Sequence, residues 1–422
     1  MKVLVLGGGH CQLNMVKRLK QSGYYIILVD YLKNCPARKY ADEHFLTSTF
    51  DHEGVIKIID KTKAGAIITM GTDQPVLTAA IAAKHNKLPF YTSPETALKV
   101  TNKRVMKKIF KDSGIPANEY ALIDENFTEK DIRHMGFPAV LKPVDSQGQR
   151  GIFKVESMDE IQKNIGETLG YTKEDKVLLE EYYENDEITV NGWVRNGKAF
   201  IITVVDRVTM DNRERIGICI AHNHPSVHLA EYADDISRIT QRIVDAFDIK
   251  EGPIYFQYLI GNEGIKVNEI AMRIGGAYED LTIPLISDID ILGMVFDSVM
   301  GNEADVSKLQ DYDFRKDGKY MSTQMFFMKP GIVDEHISME QFTSVPYIKA
   351  ALFNFKKGTI YKKIENATAR AGYFIVVGRD RIDLEKKIRM AYDSLIVSDE
   401  KGNPMVITYD EYLGKYKFSL DY

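Results

Sequence analysis

The sequence predicts a protein of several domains in the α/β and α+β classes, led by a parallel sheet. Three observations carry that expectation. The 422 residues exceed what one hydrophobic core usually organises, so two or three domains are expected. Strand-like and helix-like segments alternate from Lys2 to Met70, the pattern of strands joined by crossover helices. Much later, residues 254–271 form two alternating segments around a glycine turn, as an antiparallel hairpin would.

Lys2–Leu6 is a continuous apolar run ending in Gly7, Gly8 and Gly9, as expected of a strand buried on both faces. Residues 11–22 carry Leu13, Val16 and Leu19 at helical spacing and stop at Gly23. Further strands are expected over 24–29, closed by Asp30, and over 66–70, followed by Gly71, Thr72, Asp73 and Gln74. Ligands of such a sheet lie outside the carboxyl ends of its strands. Gly7 and Gly9 match the first two glycines of a dinucleotide fingerprint, and Asp30 stands near the offset of its ribose-binding acid. Gln12 takes the third glycine position, however, and would hold helix and strand apart. The unit is Rossmann-like, but a nicotinamide enzyme is disfavoured.

Composition narrows the function classes. A net charge of −5 argues against a general nucleic-acid binder and leaves phosphate recognition to a local site. Cys11, Cys35 and Cys219 have no paired spacing, so no disulfide framework is expected. No run approaches the roughly 20 apolar residues of a membrane helix, and the apolar start is too short for a signal peptide. A cytoplasmic protein without membrane or nucleic-acid partners is the expectation.

The chemistry-bearing segments follow. Residues 99–112 read as one basic amphipathic helix that stops at Gly114, with Pro116 beyond it. Lys107, Lys108 and Lys111 are expected on its solvated face, and Lys103 taken alone would be one more surface lysine. Lys142 ends the apolar strand that starts near Phe137, and a compact ammonium there suits phosphate oxygens. The loop after it, Asp145 to Gly151, holds Ser146, Gln147, Gly148 and Arg150. Its glycines let backbone amides turn toward an anion and let the loop hinge shut; a plain hairpin turn is the competing reading. Residues 176–194 run from an apolar strand through an acidic linker into a second strand that alternates from Ile188. A hairpin through 261–264 would bring Gln257 and Glu269 onto neighbouring strands, with Ile265, Val267, Glu269 and Ala271 sharing one face. Arg273 lies two residues on and is followed by Gly275 and Gly276. Cys219, His222, His224 and His228 match no common zinc spacing, and the stretch 221–226 is expected to line a substrate pocket.

In this order and spacing the chain resembles the ATP-grasp superfamily of carboxylate–amine ligases over nearly its whole length. The resemblance implies a three-domain ATP-grasp fold: a Rossmann-like domain over 1–100, a linker helix and small lid over 101–190, a core with the metal site over 191–310, and a C-terminal α+β domain over 311–422 that completes the core. It places ATP against Lys103, Lys142, Ser146, Gln147 and Gly148 at the phosphates, the backbone from Glu180 and Glu181 to Tyr183 at the adenine edge, and Glu187 at the ribose. It assigns Gln257 and Glu269 to Mg²⁺, for which Mn²⁺ can substitute. Arg273 becomes the catalytic group at the transferred phosphate and substrate carboxylate, with Gly9, His222, Gly275 and Gly276 around the substrate. Two departures stand out. Gln257 replaces the usual Glu, as in carbamoyl-phosphate synthetase, and Ala271 replaces the Asn that usually follows the Glu by two residues, which leaves open one metal ion or two. The implied reaction joins a small carboxylic acid to an amine through an acyl phosphate. Bicarbonate-using enzymes, phosphoribosylamine–glycine ligase and a degenerate nucleotide-binding protein are the alternatives. A biotin-carrier Met-Lys-Met is absent from the sequence. A homodimer is the oligomer that relatives of this kind often form.

Overall fold

The computed structural model describes residues 1–146, 148–212, 215–316 and 318–415. Its first unit is a parallel sheet of β1 (Lys2–Leu6), β2 (Tyr25–Val29), β3 (Glu43–Phe45) and β4 (Ala66–Ile68), in the order β3-β2-β1-β4. Both faces of β1 are covered. Val3 and Val5 join the largest core, while Leu4 and Leu6 join a separate cluster with Ile27, Val29 and Ile67. That double burial is why the segment reads as an unbroken apolar run. The chain passes from β1 to β2 and β3 on one side and then crosses back to β4 on the other side of β1, so the crevice expected for ligands opens at the carboxyl ends of β1 and β4.

Helices α1 (Leu13–Gln21), α2 (His52–Thr62), α3 (Gln74–Asn86) and α4 (Pro94–Thr101) surround this sheet, and α5 (Lys103–Asp112) leads out of it. The single basic helix expected over 99–112 is therefore two helices. Asn102 sits between them in an extended conformation, and its side chain accepts a hydrogen bond from the Val105 N–H at 3.1 Å. This N-cap starts α5 afresh and turns its axis away from α4.

The second unit is an antiparallel sheet of β5 (Tyr120–Ile123), β6 (Ala139–Lys142), β7 (Phe153–Val155) and β8 (Val177–Glu181), ordered β5-β8-β6-β7. It has a core of its own, built around Leu141, Val155, Ile161, Ile165 and Leu179. The third is an eight-stranded sheet. It contains β9 (Asp186–Arg195), β10 (Lys198–Asn212), β11 (Arg215–His224), β12 (Glu251–Gly261), β13 (Gly264–Ala271) and β14 (Tyr320–Phe326), ordered β13-β12-β9-β10-β11-β14. The strands Gly372–Gly378 and Ile348–Phe353 continue it beyond β14. The C-terminal third thus completes the central sheet by strand addition, and the helix Arg381–Ser394 packs on that end.

One detail of β12 and β13 departs from simple alternation. Gln257 pairs with Glu269, but the next residue, Tyr258, pairs with Val267. Asn268 is the extra residue of a β-bulge, which reverses the phase of the strand. Ile265, Val267 and Ile270 enter the core, while Asn268 and Glu269 both line the opposite side. The expectation that Val267 and Glu269 share a face is therefore corrected.

The first sheet and the large sheet meet at glycines. The Gly71 N–H donates to the Ile274 carbonyl at 3.0 Å, and a Cβ added at Gly276 would lie 2.6 Å from the Gly71 carbonyl oxygen. The obstacle is backbone, which cannot swing aside. Gly276→Ala is expected to cost about 1–3 kcal/mol of stability through this overpacking, read as a lower midpoint in denaturant unfolding; an unchanged midpoint would show that the junction yields freely.

Candidate active site

A cavity of about 280 Å³ lies between the small sheet and the large one. Lys142 enters it from the end of β6, Ser146 and Gly148 from the loop beyond, and Lys103 from the start of α5. Glu180, Glu181 and Tyr183 come from β8 and the crossing that follows, Glu187 from β9, and Gln257 and Glu269 from β12 and β13. The expected nucleotide and metal residues therefore converge on one space, except Gln147, which lies outside the described residues.

The cations around this cavity are neutralised across elements. Lys103 Nζ stands 2.9 Å from Glu269 Oε1 and donates to the Ser146 carbonyl at 2.9 Å. Lys142 Nζ is ion-paired with Glu180 and donates to Asn268 Oδ1 at 3.3 Å. Burial opposes charge on Lys103 and on Glu269, yet each holds the other charged: the lysine is raised and the carboxyl lowered from their ordinary values.

Lys107 overturns an expectation. It is 1% exposed and ion-paired with the other oxygen of Glu180, not solvated. It follows Lys103 by one helical turn, so the two lysines share the face of α5 that meets the small sheet. Burial pushes its ammonium down to about 8 in spite of Glu180. Glu180 is likewise corrected. It sits in β8 between β5 and β6, with its backbone paired to Tyr120 on one side and Val140 on the other. Its contribution is therefore a buried carboxylate bridging two lysines, not a backbone edge for a base. Burial would raise it, but Lys107 and Lys142 together hold it below the usual range.

Glu181 and Tyr183 are steadied by Lys266, whose Nζ lies 3.8 Å from the Glu181 carboxylate and 4.2 Å over the Tyr183 ring. The Tyr183 hydroxyl donates to the Gly264 carbonyl and accepts from the Glu263 N–H, both at 2.9 Å. Glu187, expected at a ribose, is ion-paired with Arg207, which also donates to the Gly217 carbonyl at 2.9 Å.

The residues expected around the substrate lie apart from this cavity, toward the crevice of the first sheet. Arg273 Nη2 and Nε both reach Asp73 Oδ1 at 2.7 Å, and its guanidinium lies 4.3 Å over the Tyr255 ring. Asp73 follows β4, so this pair clamps the end of β13 to the switch point. His222 Nδ1 stands 3.3 Å from Glu279 Oε1, beside Cys219. At Gly9 a Cβ would approach Gln12 Oε1 to 3.0 Å, and the Gln12 amide donates to the Met70 carbonyl at 2.8 Å. Asp30 accepts from the Gly8 and Leu32 amides, which engages it as a turn cap and not as a ribose acid. Gly275 and Gly276 give no open room for a substrate. A Cβ at Gly275 would meet the Glu279 carboxylate at 2.2 Å, and Gly276 abuts Gly71. These glycines serve close packing at the junction.

A divalent cation is implied by the resemblance, and the donors fit one ion. Glu269 offers a carboxylate while Gln257 and Asn268 offer amide oxygens on the same side of two paired strands; hard Mg²⁺ takes oxygen donors and fills its remaining positions with phosphate and water. Among the described residues no group of three His, Cys, Asp or Glu side chains is placed to hold a metal, so the histidine cluster near Cys219 forms no zinc site there.

Residues 135–279 match the ATP-grasp domain, and residues 324–399 match the L-amino acid ligase C-terminal domain 2. The chain therefore carries an ATP-grasp domain and has the ATP-grasp fold. A formate-dependent phosphoribosylglycinamide formyltransferase of Mannheimia succiniciproducens is 27% identical over 198 residues, covering 45% of this chain and 49% of the relative. The C-terminal section of the carbamoyl phosphate synthase large chain of Aquifex aeolicus is 24% identical over 308 residues, covering 68% and 55%. The chain thus spans about half the length of the curated relatives it matches. Among solved structures, the L-amino acid ligase of Bacillus licheniformis superposes with a TM-score of 0.79 at 14% identity, covering 94% of this chain and 98% of that one. The phosphoribosylglycinamide synthetase of Anaerococcus prevotii gives 0.74 at 17% identity, covering 94% and 99%.

The His222 pair has a measurable pH signature. Burial alone would lower the imidazole, but Cys219 and Glu279 outweigh it and hold His222 up to about 9, from 6.5. A cation favoured in the folded state gives stability that is complete below the unfolded value and is lost as pH rises through the folded one. Stability is therefore expected to fall between about pH 6.5 and about pH 9, and His222→Gln should flatten that part of the profile in denaturant unfolding. An identical slope in the variant would sink the assignment.

Proposed function

We propose that the protein is an ATP- and Mg²⁺-dependent carboxylate–amine ligase. The observation that carries this reading is the meeting of Lys103 and Lys142, from separate elements, over one cavity floored by Gln257, Asn268 and Glu269. Phosphates would lie against the two lysines and the loop at Ser146 and Gly148, and the base would lie along the crossing from Glu181 to Tyr183. Bound at Glu269, Gln257 and Asn268, Mg²⁺ would draw charge from the phosphate oxygens. Arg273, fixed by Asp73, would carry the charge that develops on the substrate side.

The reaction forms a C–N bond in two displacements. A carboxylate oxygen attacks the γ-phosphorus, the bond to the β-phosphate oxygen breaks, and ADP departs. The amine then attacks the acyl carbon of the acyl phosphate, and phosphate leaves with the bonding electrons while the amine loses a proton. Neither displacement needs a nucleophile from the protein; each needs alignment, neutralised charge and exclusion of water. The match to the L-amino acid ligase C-terminal domain favours an amide or peptide product. A purine-type or bicarbonate-type acid is the second reading, favoured by the phosphoribosylglycinamide and carbamoyl phosphate relatives.

We take the working domains to be 1–100, 101–190, 191–310 and 311–422, acting in the cytoplasm on small molecules, with a homodimer as the assembly. No described helix is long and apolar enough to cross a membrane.

Phosphate release from MgATP across amino acids, dipeptides, bicarbonate and phosphoribosylamine tests the reading. Release is expected only with an acid–amine pair, and Arg273→Ala and Glu269→Gln should each lower it by about 100-fold or more. Nucleotide binding without release under every pair would instead favour a protein that only binds ATP, and a large gain of ATPase in Ala271→Asn would point the same way.

A further inference from the structure

The ion pairs at the phosphate end of the cavity do not cancel evenly. Lys103 faces Glu269, one base to one acid. Lys107 and Lys142 share Glu180, each on a different carboxylate oxygen, so this trio keeps one positive charge in surplus. All three side chains are buried, where water and salt screen that surplus little. Lys142 makes one further contact, to Asn268 Oδ1, which is a neutral acceptor. These described contacts occupy two of the three donors of its ammonium.

The two lysines stand differently toward the cavity. Lys142 and Glu180 line it, while Lys107 lies behind Glu180 on α5, with its Nζ 5.6 Å from the centroid of the Phe110 ring. Among the described residues that line the cavity, acids outnumber bases. Entry of a polyanion past such a wall is favoured by positive charge placed just behind it. Without Lys107, Glu180 and Lys142 would be a neutral pair, and Lys142 would meet an anion with its charge already answered. The surplus would vanish although no lining residue had changed.

We propose that Lys107 is a positioning residue for nucleotide binding: by sharing Glu180 from behind the wall, it leaves Lys142 a net charge to offer the phosphates. This rests on reading the cavity as a nucleotide site, but it is tested without turnover. The full chain in Mg²⁺ is titrated calorimetrically with a non-hydrolysable ATP analogue and, separately, with adenosine, which lacks phosphates. Lys107→Gln keeps a donor for Glu180 but removes the charge; Lys107→Met serves in its place should that variant fail to fold. The neutral variant is expected to bind the analogue about tenfold or more weakly, with adenosine affinity held within about twofold. Adding Glu180→Gln makes the trio singly positive again, so the double variant should return to within about threefold of the unaltered protein. Lys107→Arg, which keeps the charge, should stay in the same range. A residue that merely pinned α5 to the small sheet would not be rescued by removing its own partner. Analogue affinity unchanged in the neutral variant, an equal loss for adenosine, or a double variant as weak as the single one overturns this inference alone. Unaltered protein that binds neither probe overturns the nucleotide reading with it. The expected affinity pattern without phosphate release under any acid–amine pair would refute the ligase reading alone.

Discussion

Buried cations need buried anions, and that constraint organises this molecule. Lys103, Lys107, Lys142, Arg207 and Arg273 are all withdrawn from water, and each is answered by a carboxylate on another element. The pairs join α5 to β13, α5 and β6 to β8, β10 to β9, and the end of β13 to the turn after β4. Removing one member of such a pair leaves an uncompensated charge, at a cost of about 3–5 kcal/mol. A whole domain is stable by only about 5–15 kcal/mol, so these contacts decide how the three sheets stand against one another. Glu180 is the extreme case, since two lysines depend on one carboxylate.

The β-bulge at Asn268 is the second determinant. Without it Val267 and Glu269 would point the same way, and the strand would offer the cavity either an apolar side chain or an acid in regular alternation. With it, the strand keeps Val267 and Ile270 in the core and still presents two consecutive oxygen donors. Lys142 takes its second contact from Asn268 for the same reason.

Much of this was legible in the residues. The run Lys2–Leu6, the Lys142 strand and the Gln257–Glu269 pairing follow from periodicity and turn residues, because local propensity and burial agree there. The failures have physical causes. Helical spacing put Lys107 on a lysine-rich face, and its burial depends on Glu180, more than seventy positions away in the chain and unmarked by any local pattern. Its one-turn offset from Lys103 was the available clue. The break between α4 and α5 was also readable, since Asn102 is a good N-cap ahead of Lys103. Asn268 and Asp73 were missed for different reasons: a bulge leaves no signature in a two-residue alternation, and the Asp73–Arg273 pair joins two domains. Gly275 and Gly276 suggest a close approach of substrate to the backbone, whereas the groups that lie against them in the structure are Glu279 and Gly71.

The pairing of Lys103 with Glu269 and of Lys142 with Glu180 changes what happens when a polyanion arrives. Neither ammonium waits bare in solvent with a cloud of small ions around it. A phosphate chain that enters must compete with resident carboxylates, so its capture is a partner exchange within the wall. Few mobile ions are released to the bulk in such an exchange, and added salt has correspondingly little to screen. In the proposed ligase, Glu269 would have to turn from Lys103 toward a divalent cation before that lysine could meet the phosphates.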